Sequence, residues 1–227
     1  QYQQSTSHNT YYNLLEILTH IRHSEKMFIM KRLLLILILI FSFQSWTKAD
    51  DIRDFQIEGM SIGDSLLDYF SEEEIKENIN NVYSYKKDKT FVQTGFDILD
   101  EFNFHKYEVV QIEFKKNDKH YIIDGVTGKV FSNYDKNIKA CFKHQDKVIN
   151  ELTQMFKNQK KNSARKIKHT ADKSGQSIVR QAVFKFKQSG DLVFVACYNW
   201  HKNMPYKSNF KVVLSSKELN DWLIANN

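Results

Sequence analysis

The apolar run Leu33–Phe43, interrupted only by Ser42, constrains the chain more than any other stretch. Lys31 and Arg32 give it a positive start, and Ser45–Ala49 give it a short polar exit ending in Thr47-Lys48-Ala49. Together these make the three parts of a secretory signal, with small residues where a signal peptidase inspects the chain. The run is about half the length that a membrane-spanning helix needs. Residues 30–49 are therefore expected to be removed after Ala49, leaving Asp50 at the start of a periplasmic or secreted protein with no stable membrane anchor. Residues 1–29 read as an upstream extension outside the mature protein, with Met30 or Met27 as the start.

The expected mature part, 50–227, has one domain's length, with possible subdomains at 50–135 and 136–227. Its charge is unevenly spread. From Asp50 to Glu108 there are 15 acidic and 6 basic residues, and from Val109 to Asn227 there are 10 acidic and 22 basic. The two halves either attract each other or present opposite faces to a partner.

Hydrophobic spacing sets the expected elements. Phe55–Ile57 reads as a short strand, and Asp64 as the cap of a helical turn over Ser65–Phe70. Ser71 with Glu74 makes a capping box, and Glu72–Glu74 suit a positive helix start. Short strands follow over Val82–Tyr85 and Thr90–Thr94. In Tyr107–Lys115, Val110, Ile112 and Phe114 alternate with Val109, Gln111 and Glu113, so this is a strand with His120–Asp124 as its return. Gly125 and Gly128 read as the brackets of a further turn.

Asn137–Asn158 is the strongest helix, with one apolar stripe from Ile138 and Cys141 to Met155 and Phe156. The last third reads as antiparallel strands: Ser177–Lys187, Leu192–Trp200 and Asn209–Leu214. Ser215 and Glu218 then open a short helix. This is an α+β pattern: an antiparallel sheet covered on one face by a long amphipathic helix, with a small helical and hairpin part at the N-terminal end.

Cys141 lies on the helix stripe, and Cys197 shares a strand face with Val193 and Val195, opposite Phe194, Ala196 and Tyr198. In an oxidising compartment such a pair forms a disulfide. The alternatives are two separate buried thiols, or a tetrahedral zinc site of Cys141, His144, Cys197 and His201, from Cys-x-x-His and Cys-x-x-x-His spacings. No cofactor is expected, because the chain carries no G-x-S-x-G, H-E-x-x-H or P-loop. Lys160, Lys161, Arg165, Lys166 and Lys168 head the most basic stretch and are candidates for polyanion binding, against a solvated helix end and lysine-lined edge strand.

The segment IRDFQIEGMSIGDSLLDYFSEEEI, with KACFKHQDKVINELTQMF further on, resembles a family of small secreted proteins of AT-rich marine alphaproteobacteria; the resemblance implies no activity and no functional residues. YEVVQIEFKKNDKHYIIDGVTGKV is similar to the strand–strand–turn of PepSY modules, which implies a small inhibitory or binding module. The expectation is an exported, non-enzymatic protein that binds an envelope partner: a protein, an anionic lipid or a glycan, with nucleic acid last for an exported chain. The alternative is a small periplasmic hydrolase centred on His and Asp or Glu near Cys141 and Cys197.

Overall fold

Side-chain alternation along seven strands decides which residues go inside. The computed structural model describes residues 51–79, 90–97, 104–132 and 134–226, all in one unit, Lys48–Asn227. The expected signal and extension, the Val82–Tyr85 strand and the cleavage point lie outside the described residues. Single 3-10 turns at Ile52–Asp54 and Leu66–Asp68 precede helix α1, Glu72–Asn78. Then come β1 (Phe91–Asp97), β2 (Val109–Lys115), β3 (Ile123–Val130), α2 (Ile138–Met155), β4 (Lys160–Lys168), β5 (Ile178–Lys185), β6 (Leu192–Asn199), β7 (Asn209–Ser215) and α3 (Lys217–Asn226). The strands form one antiparallel sheet in the order β1-β2-β3-β7-β6-β5-β4. The class is α+β.

The register sorts the sheet into two faces. One carries Phe96, Val110, Ile112, Val126, Leu214, Val212, Phe210, Val193, Val195, Cys197, Ala182 and Phe184. These residues join Ile52, Ile57, Met60, Leu66 and Ile75 in a single apolar core. Cys141 of α2 is bonded to Cys197 of β6, with Cα atoms 6.1 Å apart. Four residues further along α2, the fully buried Gln145 donates from Nε2 to the carbonyls of Arg180 and Val195, both at 2.8 Å. Its Oε1 accepts from Arg180 Nη1 at 2.8 Å. A buried amide with both N–H donors and its oxygen engaged holds the helix to the backbone of β5 and β6.

Three local readings are corrected. Asp64 does not cap the Leu66–Asp68 turn; Ser65 does, while Asp64 accepts from the Ser61 amide and the Tyr69 hydroxyl. Gly125 and Gly128 do not bracket a turn but lie within β3. A Cβ on Gly125 would lie 2.5 Å from Leu219 Cδ2, and one on Gly128 would lie 2.5 Å from the Tyr107 ring, so glycine is demanded by close approach and not by a turn. Ser216, not Ser215, accepts from the amide of Leu219 at the start of α3, and Glu218 instead pairs with Lys115 at 2.8 Å.

Candidate functional site

The second face of the sheet mixes polar side chains with apolar ones such as Phe194, Ala196 and Val213. Across it, Lys129 of β3 and Lys211 of β7 are direct Cα partners, and Asn209 of β7 is opposite Tyr198 of β6. Like charges directly opposite on a sheet repel, so this pair is a cost that local packing leaves standing. At the end of these strands, Lys129, Lys211, Asn209, Tyr198, Trp200 and Tyr206 join His169 in lining a cavity of about 390 Å³.

Two braced loops supply the aromatic wall. Between β4 and β5, Asp172 accepts from the amides and hydroxyls of Ser174 and Ser177. Those hydrogen bonds hold its carboxyl well below the usual carboxylate range. The Ser177 hydroxyl also accepts from the amide of His201, and the Ser208 hydroxyl from that of Trp200. The Asp135 carboxylate in turn accepts from the Ser208 amide at 3.0 Å. The rings are thereby placed: His169 to Trp200 4.3 Å between centroids, Trp200 to Tyr206 4.6 Å, and Lys211 Nζ 4.6 Å from the Tyr198 centroid.

The electrostatics follow from burial. Burial first, and then the neighbouring Lys211, push the Lys129 ammonium down to about 8, with Glu113 opposing. Glu113, on the same face of β2, has its carboxyl pushed up by burial, against a hydrogen bond from Gln93 and the fields of Lys211 and Lys129. Burial and Lys211 likewise lower the His169 imidazole. Asn209 is only 7% exposed; its Nδ2 donates to the Lys207 carbonyl, and its Oδ1 has no partner among the described residues. A buried acceptor without a donor is a specific cost, and this atom is sealed from solvent although Asn209 is among the residues that line the cavity.

The candidates drawn from sequence are placed elsewhere. Cys141 and Cys197 form the disulfide, which leaves the zinc alternative without thiolates. His144 Nδ1 meets the Tyr134 hydroxyl at 2.5 Å, and its ring stacks on Phe210. The nearby carboxylate Asp146 is paired with Arg180 at 2.6 Å. The basic stretch is a strand, β4, at one edge of the sheet, and its register divides the five cations. Lys161, Lys166 and Lys168 share the Cys197 face, with Lys166 Nζ 5.1 Å from the Phe142 ring; Lys160 and Arg165 share the face of the cavity. Lys129, Lys211, Asn209, Tyr198, Trp200 and Tyr206 were not candidates from sequence. The available signal was a lone lysine at a half-buried position in each of two apolar strands. A second cavity, of about 530 Å³, is lined by Glu108 and Asp135, whose carboxylates already accept backbone amides.

Among the described residues no helix is long and apolar enough to cross a membrane. No protein-family profile, curated protein or solved structure matches the chain. The segment Tyr107–Val130 holds the β2–β3 hairpin, with Thr127–Val130 inside β3.

Proposed function

We propose that this chain is an exported, non-enzymatic binding protein whose partner is an acidic saccharide of the cell envelope. In this reading α2 covers the Cys197 face of the sheet, α3 packs on the opposite face at Gly125, and the Lys129 end of that opposite face is left to the ligand. The observation that carries it is the Lys129–Lys211 pair, two cations facing each other at a cavity walled by aromatic rings. A carboxylate between them would relieve their repulsion and take charge-assisted hydrogen bonds from both. The rings of Trp200 and Tyr206 offer flat apolar faces to a sugar ring. Arg165 lies on the same face, in the cross-strand row that runs Lys129, Lys211, Ala196, Gln181, Arg165, so a chain of uronic acids can meet a second cation beyond the cavity.

The test is titration of the purified chain with a uronic-acid trisaccharide, a neutral trisaccharide of equal length and a mononucleotide, read by tryptophan fluorescence. Saturable binding of the uronate alone supports the reading. Equal binding of the neutral sugar, or preference for the nucleotide, sinks it.

A further inference from the structure

We propose that Lys129 is a nucleophilic amine, able to form an imine with a small anionic carbonyl compound of the 2-oxo acid class. The inference goes beyond saccharide binding and does not require it. Its basis is placement. Lys129 lines the cavity beside a second lysine, and a lysine that is partly desolvated next to another cation keeps a minor neutral fraction near neutral pH that is far larger than an exposed lysine's. The groups around it agree. Lys211 faces it from β7, and beyond Lys211 stand Tyr198 of β6 and His169, with Asp172 behind the histidine. Glu113 of β2 shares its face, and Asp97 of β1 lies on that face two strands away across Val109. Of these, Lys211 and burial act against the charged amine, and only Glu113 opposes them.

The step balances without an oxidant. The Lys129 lone pair bonds to the carbonyl carbon, the C=O π pair moves to oxygen, and that oxygen takes a proton as the nitrogen loses one. The C–O bond then breaks, water leaves with a second proton, and the nitrogen pair closes the C=N bond. Lys211 holds the carboxylate of the 2-oxo acid, and His169, which lines the same cavity, is the proton carrier at hand.

The experiment uses the full chain with its disulfide intact, pyruvate and cyanoborohydride at neutral pH. Hydride adds to the iminium carbon and fixes the adduct, which peptide mapping then locates. Lys129 is expected to be modified first, at a rate that levels off above about pH 8, and at least about tenfold faster than exposed lysines such as Lys160 and Lys168. Acetaldehyde, which has no carboxylate for Lys211 to hold, isolates the effect on basicity. With it, Lys211→Met slows Lys129 by about tenfold, because the proton is then held more tightly. Modification spread over exposed lysines with Lys129 no faster overturns the proposal, as does an unchanged acetaldehyde rate in Lys211→Met. An unreactive Lys129 in a chain that still binds the uronate sinks the imine alone. A reactive Lys129 in a chain that does not bind it sinks the saccharide reading alone.

Discussion

At the residue scale, the cavity trades stability for charge. Lys129 keeps its ammonium at neutral pH in a place where burial and Lys211 both oppose it. Replacing it by Met, which fills similar space without charge, should therefore raise the melting temperature while removing anion binding. Thermal unfolding and a binding titration on one preparation check this; a fall in both would mean that Lys129 is structural. The sign of the pH dependence follows the same physics. Between about 8 and the ordinary lysine range, the unfolded chain holds a proton that the folded chain has released, so Lys129 makes stability rise with pH across that window. Anion affinity should fall over the lower part of the same window, as the charge is lost. Glu113 behaves oppositely to a usual carboxylate. Its folded carboxyl keeps its proton longer than the unfolded one, so its contribution falls as pH rises above the ordinary carboxylate range. Glu113→Gln should flatten that fall, in chemical denaturation followed from acid to neutral pH. A curve with unchanged slope would count against burial as the cause.

At the element scale, the disulfide and Gln145 fix α2 to β6 at adjacent turns. The bridge spans a sequence separation of 56, and the chain-entropy argument gives such a loop about 4 kcal/mol. A Cys141→Ala, Cys197→Ala double variant should melt roughly 10 °C lower, and full reduction of the wild type should match it. An unchanged melting temperature would show that burial alone positions the helix. The edge strand β4 gives a different expectation. Its cations are split between two faces, so Lys160→Gln with Arg165→Gln should weaken retention of a uronate polymer, whereas Lys166→Gln with Lys168→Gln should not. Affinity chromatography over a salt series separates the two, because retention by charge falls steeply with salt.

At the scale of the whole molecule, much of the fold was legible because burial follows a period. The α2 stripe and the alternation in β2 and β6 put Cys141 and Cys197 on facing surfaces, and the two form a bond. The capping box at Ser71 and Glu74 was legible for the same local reason. The continuity of β3 through Gly125 and Gly128 was not. Those glycines answer to Leu219 and Tyr107, which come from distant parts of the chain. The candidate site was also hidden. Lys129 and Lys211 are separated by a long stretch of sequence and meet only because β7 inserts beside β3, a pairing that no local pattern specifies. The basic stretch drew attention by its density, yet its cations are exposed, and the two lysines that matter most to the proposed site stand alone among apolar neighbours.

The central claim is that the Lys129–Lys211 pair at the aromatic cavity receives an acidic sugar. The most direct measurement is isothermal titration of the uronic-acid trisaccharide into the wild type and into a Lys129→Gln, Lys211→Gln double variant, both shown to be folded by circular dichroism. The account predicts binding that is weakened at least about a hundredfold in the variant, since two charge-assisted hydrogen bonds of this kind are lost together. Equal affinity in the two proteins would contradict it.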